Sequence, residues 1–512
     1  MANQLFARKP LALLLEERAS EHKLPRVLGS LQLTSLGVGM IIGTGIFVIV
    51  GKAAPLAGPA LILSFVLAGI ACALAALCYA EFAAMVPVAG SAYTYAYATL
   101  GELLAWVIGW DLILEYGVAA ATVAQGASNY FQNLIGIFGL KLPDVLTNAP
   151  FDYEAGHFFS TGKVLALPAL LLTIGITAVL VRGIRQSAMF NLVMVILKIA
   201  IVLLIIVAGA AHFKSANWHD FAPYGLFKTG EKGQHLGILA GAGIVFFAYI
   251  GFDSVSNHAE DARAPQRDVP IAIIASLMIC TALYMGVSAV LIGMVPYDKV
   301  SPKAPLADAF KDLRLIWVQG LVALGATVGI ASVMLVTMLS QTRILLAMAR
   351  DGLLPQKFFG EIHRRFRTPW KSTILTGLFV GLLASLLPLG FLLELVNIGT
   401  LLAFVIVCAA VPIMRRTHPD VKRPFRTPLV PFVPILGILT CSLLMYLLPF
   451  GNWLRLGAWL LIGAVVYFAY GRKHSLMARP LEADPPAPGR SQIILELNDH
   501  AVLTQVISQE KK

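Results

Sequence analysis

The stretch LGVGMIIGTGIFV, residues 36–48, decides the fold class. It is apolar enough to enter a membrane, yet Gly37, Gly39, Gly43 and Gly45 interrupt it. A second stretch of the same kind, AGAGIVFFAYIGFD at residues 240–253, carries Gly241, Gly243 and Gly251. Hydrocarbon offers no water to a freed backbone group, so a break costs several kcal/mol unless the group lines a cavity or meets a ligand. Matched breaks in the two halves of a polytopic chain are the best sequence pointer to a transport site.

Composition agrees with a membrane protein. Hydrophobic residues make up 58% of the chain and charged residues 13%, against roughly 25% charged in a soluble domain. Runs of about 20 apolar residues, long enough to span, recur twelve times, centred from near Ile42 to near Leu461. The runs near Leu378 and Ala403 are parted only by residues 386–393. These runs predict an all-α integral membrane protein of twelve transmembrane helices.

Charge gives the topology. With the N-terminus inside, cytoplasmic segments hold 27 of the 39 Lys+Arg, outer segments hold 11, and Lys198 alone lies within the membrane. That bias puts both termini in the cytoplasm, and the membrane is expected to be the plasma (inner) membrane. The net charge of +11 is therefore a topology signal; no soluble domain carries the basic stripe that nucleic acid requires. Cys72, Cys78, Cys280, Cys408 and Cys441 all fall in apolar runs, where cysteine acts as a small hydrophobe. No CxxC or Cys/His cluster predicts a metal or a cofactor.

Residues 1–30 form a charged cytoplasmic segment without a cleavable signal. Within it, residues 10–20 are amphipathic and suited to the membrane surface. Residues 31–472 form the transporter domain. Its runs divide as five (31–212), five (235–412) and two more (428–472). Five is odd, so the second set starts from the opposite side, and each set opens on its glycine-broken run. The cytoplasmic tail, 473–512, begins with a stiff linker marked by Pro480, Pro485, Pro486 and Pro488. The outer loops at 133–162 and 211–234 show no readable pattern.

The first break carries the chemistry of a zwitterion site. Unwinding at Gly43-Thr44-Gly45 leaves N–H groups at the start of a half-helix, which favour a carboxylate. Carbonyls left near Ile41 favour an ammonium. The alternative is close helix packing by small residues. At the second break, the carbonyls of Phe247 and Ile250 are candidates for the ammonium, and the aromatics are candidates to wall the site.

Lys198 lies about ten residues into its run, roughly 15 Å deep, where a lysine costs about 2.5–3.5 kcal/mol on insertion scales. It is a candidate to lose and regain a proton during transport; the alternative is a static ion pair. Asp111 and Glu115, four apart and so on one helix face, are its candidate partners, or else face the cavity. Glu81 and Glu102, nearer the ends of their runs, read as interfacial charges.

These residues resemble the amino acid–polyamine–organocation superfamily, most closely the bacterial form of its cationic amino acid transporter branch. The resemblance rests on GVGMIIGTGIFV, on residues 79–102 (YAEFAAMVPVAGSAYTYAYATLGE), on GWDLILEY at 109–116, on residues 246–274, on SQTRILLAMARDGLLP at 340–355 and on NIGTL at 397–401. It implies a leucine-transporter-like 5+5 inverted repeat with two extra helices, working by alternating access. It implies a substrate carboxylate at Gly43, Thr44 and Gly45, and an amine at the carbonyls of Ile41, Phe247 and Ile250. It also implies a proton-coupling role for Lys198, a place for Glu115 near that lysine, and a side-chain pocket lined by Ile330. Asn257, His258, Asp261 and Ala264 depart from the family pattern on the cytoplasmic side of the second break.

The reading is thus a secondary active transporter of L-amino acids embedded in the lipid bilayer, coupled to protons, with neutral substrates favoured. A cationic amino acid (Arg/Lys) transporter or exchanger is the runner-up, and a non-transporting amino acid sensor or a channel stays open. An enzyme is disfavoured, for no nucleophile–base pair is present. Nothing in the sequence names a protein partner.

Overall fold

The computed structural model describes residues 5–9, 28–85, 91–154, 157–183, 188–230, 235–256, 262–417 and 419–478. The expectations for residues 10–20, for Asn257, His258 and Asp261, and for the tail beyond residue 478 lie outside the described residues.

The first apolar run is two helices, α1 (Ser30–Ile41) and α2 (Val50–Ala57), joined by a wide turn at Gly45–Ile49. Then come α3 (Leu61–Met85), the short α4 (Ser91–Thr99) and α5 (Glu102–Ile137). An outer hairpin follows, with β1 (Phe151–Glu154) antiparallel to β2 (His157–Ser160) and Phe151 opposite Ser160. Next are α6 (Leu167–Arg182), α7 (Ala188–Ala210) and a two-residue strand pair, β3 (Lys228–Thr229) with β4 (His235–Leu236). The second broken run opens with α8 (Ile238–Val245), followed by a tight turn at Phe246–Tyr249 and then α9 (Pro265–Met294). The chain continues through α10 (Pro305–Asp312), α11 (Ile316–Arg350), α12 (Trp370–Leu386), α13 (Leu389–Thr417), α14 (Phe432–Tyr446) and α15 (Phe450–Val466).

Among the described residues, eight stretches are long and apolar enough to cross a membrane, the first of them covering Ser30 to Met85. The apolar helices α6, α12 and α14 are shorter. The boundary between α12 and α13 is sharp. Only residues 387 and 388 separate them, with Leu387 extended (ψ 144°) ahead of a proline, as the residue before proline prefers. Outward side chains such as Leu171, Leu378 and Leu439 are more than half exposed, which suits a surface that faces lipid.

At the centre, α5 packs against α11 and α13, and α9 against α1 and α3. Glu81 and Glu102, read as interfacial charges, are buried and bonded. Glu81 is buried and receives Nε and Nη2 of Arg415 at 3.0 and 2.7 Å. Glu102 is buried and accepts from Tyr97 (3.1 Å), Tyr467 (2.8 Å) and the Ser475 hydroxyl. Their depth along a helix placed them near its ends, but later segments fold over those ends and supply polar partners. The same end of the bundle holds a buried ion pair, Lys9 Nζ to Asp351 at 2.7 Å, with Tyr93 donating to the other carboxylate oxygen at 2.6 Å.

Candidate functional site

The helix α1 ends because Ile42 turns extended (φ −73°, ψ 96°). The amide of Ile42 still reaches Val38 O at 2.8 Å, and Phe47 N reaches Gly43 O at 3.2 Å. Between them, the amides of Gly43 and Thr44 have no backbone acceptor among the described residues. Thr44 Oγ1 is buried and has no hydrogen-bond partner there either. The break therefore presents donors without acceptors at the N-terminal end of a helical segment.

The second break is tighter. Gly251 takes φ +117°, which an L side chain rarely adopts, and a Cβ there would meet Met40 at 3.1 Å. Within this break Ile250 N donates to Phe247 O (3.2 Å) and Ser254 N to Gly251 O (3.1 Å), while the buried Ser254 hydroxyl has no partner among the described residues. Asn397 Nδ2 donates to Gly243 O at 2.8 Å.

The two breaks meet. A Cβ on Gly45 would fall on the backbone of Ala248, so only glycine lets the chains approach this closely. The Tyr284 hydroxyl, from α9, lies 2.7 Å from Ile41 O and 2.9 Å from Ala248 O. It has one proton for the two carbonyls, so it serves as a bridge between the breaks. Tyr130 donates to Phe47 O at 2.5 Å and secures the first break to α5.

A cavity of ≈ 30 Å³ lies at this junction, room for about two waters. At this volume it does not admit a molecule of amino acid size. Ile41, Gly43, Thr44, Gly45, Phe247 and Ile250 all line it, together with Met40 and Gly251 of the breaks. Helix α5 contributes Tyr116, Ala119 and Val123, and α11 contributes Val333 and Thr337. No lining side chain is charged.

Ile330 and Glu115 do not line this cavity. Ile330 is fully buried on the same face of α11, and Val333 and Thr337, three and seven residues further on, form the wall instead. Glu115 is buried on α5, with Oε2 unpartnered. It sits near Asp111, Asp253 and Thr400. Both carboxylate oxygens of Asp111 lack a hydrogen-bond partner among the described residues, and Asp111 packs against Gly399 of α13. Asp253 accepts from Tyr116 at 2.7 Å.

Lys198 donates to Gly39 O at 2.6 Å and passes Gly329 of α11, where a Cβ would lie 3.3 Å from its Cε. It makes no ion pair with Asp111 or Glu115, contrary to one expectation from the sequence. The i, i+4 spacing gave those acids a shared face, but that face looks toward α13, whereas α7 packs on α1 and α11. Sequence reasoning also passed over Tyr284, Tyr130 and Asn397. The available signal was a buried hydroxyl or amide in an apolar helix, which must find a partner.

A family model described as amino acid permease matches residues 28–468. The chain belongs to the amino acid permease family. It is a multi-pass membrane protein and an amino acid transporter, not an enzyme. The permease is 47% identical to the methylthioribose transporter of Bacillus subtilis (strain 168), over 93% of this chain and 99% of that one. It is 45% identical, over the same shares, to the branched-chain amino acid permease BcaP of that organism. It is 41% identical to the vacuolar cationic amino acid transporter 2 of Arabidopsis thaliana, over 78% of this permease and 61% of the plant protein.

Proposed function

We propose that the permease carries neutral L-amino acids across the plasma membrane by alternating access, driven by protons. In this reading the chain has twelve spans: a 5+5 inverted repeat over about 31–212 and 235–412, and two extra helices over about 428–472. Both termini lie in the cytoplasm. The substrate carboxylate is held by the N–H groups of Gly43, Thr44 and Gly45 and by Thr44 Oγ1. The ammonium is held by the carbonyls of Ile41, Phe247 and Ile250, each of which has a lone pair to spare. Lys198 gives its proton to water on one side and regains one from the other. Its Nζ–Gly39 contact ties that exchange to the position of α1.

The observation that supports this reading most is the junction of the two breaks, where unpartnered donors face a cavity with no charged lining. Apolar walls from Val123, Val333 and Ile250 suit an aliphatic side chain, in keeping with the branched-chain name of one relative. Reconstituted into proteoliposomes, the permease is expected to take up radiolabelled alanine or leucine saturably, and faster under an inward proton gradient. Saturable arginine uptake without either of these would overturn the neutral assignment. Uptake blind to the gradient would overturn the coupling.

A cationic substrate is the second reading, and one observation favours it. Behind Tyr116 lie Asp253, Glu115 and Asp111, three buried carboxyls that a guanidinium or ammonium reaching past Tyr116 would meet. Methylthioribose, the substrate in the name of another relative, has no ammonium. Its failure to compete with leucine is expected if the zwitterion contacts dominate.

A further inference from the structure

A second cavity, of ≈ 600 Å³, opens where α5 ends and α11 begins. Its floor is polar and already satisfied. Asn133 Nδ2 donates to Asp308 of α10 at 2.7 Å, Gln319 Nε2 to Asn133 Oδ1 at 2.9 Å, and Gln132 Nε2 to Thr147 O at 2.8 Å. Its rim is cationic. Lys141, Lys311 and Arg314 line it against a single carboxylate, Asp144. None of the three makes an ion pair among the described residues. Arg314 takes φ +61°, a left-handed position after α10 where glycine or asparagine is the usual residue.

Beside this rim the wall is apolar and open. Leu140 and Ile316 line the cavity and are 62% and 60% exposed. Phe138 and Trp317 next to them are 74% and 63% exposed. Exposed aromatics at the ends of spanning helices mark the headgroup level of a bilayer. Three cations without an ion pair among the described residues, with an apolar slope beside them, are complementary to an amphiphile with an anionic head. A free phosphate ion would satisfy the cations and leave the slope unused.

We infer that this cavity binds an anionic phospholipid of the surrounding bilayer. The phosphate sits among Lys141, Lys311 and Arg314, and the acyl chains run past Leu140 and Ile316. The bound lipid bridges the loop after α5 to the end of α10. Because α10 packs on the turn Gly45–Ile49 beside the central cavity, the lipid clamps an element that adjoins the proposed substrate site.

The test uses the purified full chain in detergent, with phosphatidylglycerol, phosphatidylcholine or inorganic phosphate added. Phosphatidylglycerol is expected to appear as a bound adduct in native mass spectra and to raise the thermal unfolding midpoint, whereas the other two are not. In the triple variant Lys141→Gln, Lys311→Gln, Arg314→Asn, phosphatidylglycerol occupancy should fall roughly tenfold or more, since each cation near the headgroups contributes to anionic-lipid binding. If the triple variant does not fold, Lys141→Gln alone, in the loop after α5, should lower occupancy about fivefold. Unchanged occupancy in the folded variant would overturn the inference. So would equal stabilisation of the wild-type chain by phosphatidylcholine, or by phosphate alone.

Discussion

The two breaks look alike in sequence and differ in how their polar groups are satisfied. The second is a tighter turn: Ile250 N and Ser254 N bond within it and Asn397 donates to Gly243 O, which leaves the buried Ser254 hydroxyl without a partner among the described residues. The first is an open one, with the amides of Gly43 and Thr44 and the Thr44 hydroxyl left without partners among the described residues. Buried polar groups are almost always bonded, so the unpartnered amides of the first break are what the proposed carboxylate contact rests on, while the second break offers carbonyls. That difference is the reason the proposed function places the substrate carboxylate in the first half of the chain.

Substitutions can break or sharpen this comparison. The largest effect is expected at Gly45→Ala, because the new methyl would fall on the backbone of Ala248. Overpacking costs about 1–3 kcal/mol, and against main chain the upper end applies. The variant should lose folded yield and all uptake, as followed by fluorescence-detected chromatography and flux. Gly243→Ala is its counterpart in the second half. A methyl there meets nothing within 4 Å, so yield and uptake should stay near wild type; equal damage at both sites would erase the distinction.

Lys198→Ala comes next. Gradient-driven uptake should drop roughly tenfold or more, while counterflow exchange survives if the lysine carries the coupling proton. Full gradient-driven uptake in this variant would remove Lys198 from the mechanism. Tyr284→Phe should then lower the unfolding midpoint by the equivalent of about 1–3 kcal/mol, because it strips a donor from buried carbonyls. Binding should be affected less than folding, since this hydroxyl joins the two breaks.

Thr44→Val is the mildest and the most discriminating. Its hydroxyl has no partner to lose, so thermal stability should hold. The KM for leucine should rise about three- to tenfold, the worth of one hydrogen bond of about 1 kcal/mol. A loss of stability without a change in KM would show that the open break is structural.

Much of this was legible in the sequence. Residues 36–48 and 240–253 each read as an interrupted span, and the structure brings Ile41, Gly43, Thr44, Gly45, Phe247 and Ile250 to one cavity. Lys198 read as a deep charge, and it is buried. The neighbours of each charge were not legible. Lys198 meets a carbonyl instead of Asp111 or Glu115, and Val333 and Thr337 stand where Ile330 was expected. Periodicity specifies a helix face, but not which other helix covers it. Glu81 and Glu102 illustrate the same gap, since their partners Arg415 and Tyr467 lie more than 300 residues away in the chain.

The sequence by itself determined that this is a membrane protein with an interruption in each half, because hydrocarbon length and backbone hydrogen bonding are local constraints that composition and glycine placement must obey. Only the tertiary structure decided which break is open. Tyr284, Tyr130 and Asn397, brought in from distant helices, donate to carbonyls of both breaks, whereas nothing among the described residues accepts from the amides of Gly43 and Thr44. A hydrogen bond is a matter of ångströms between residues remote in the chain, and no local pattern encodes it.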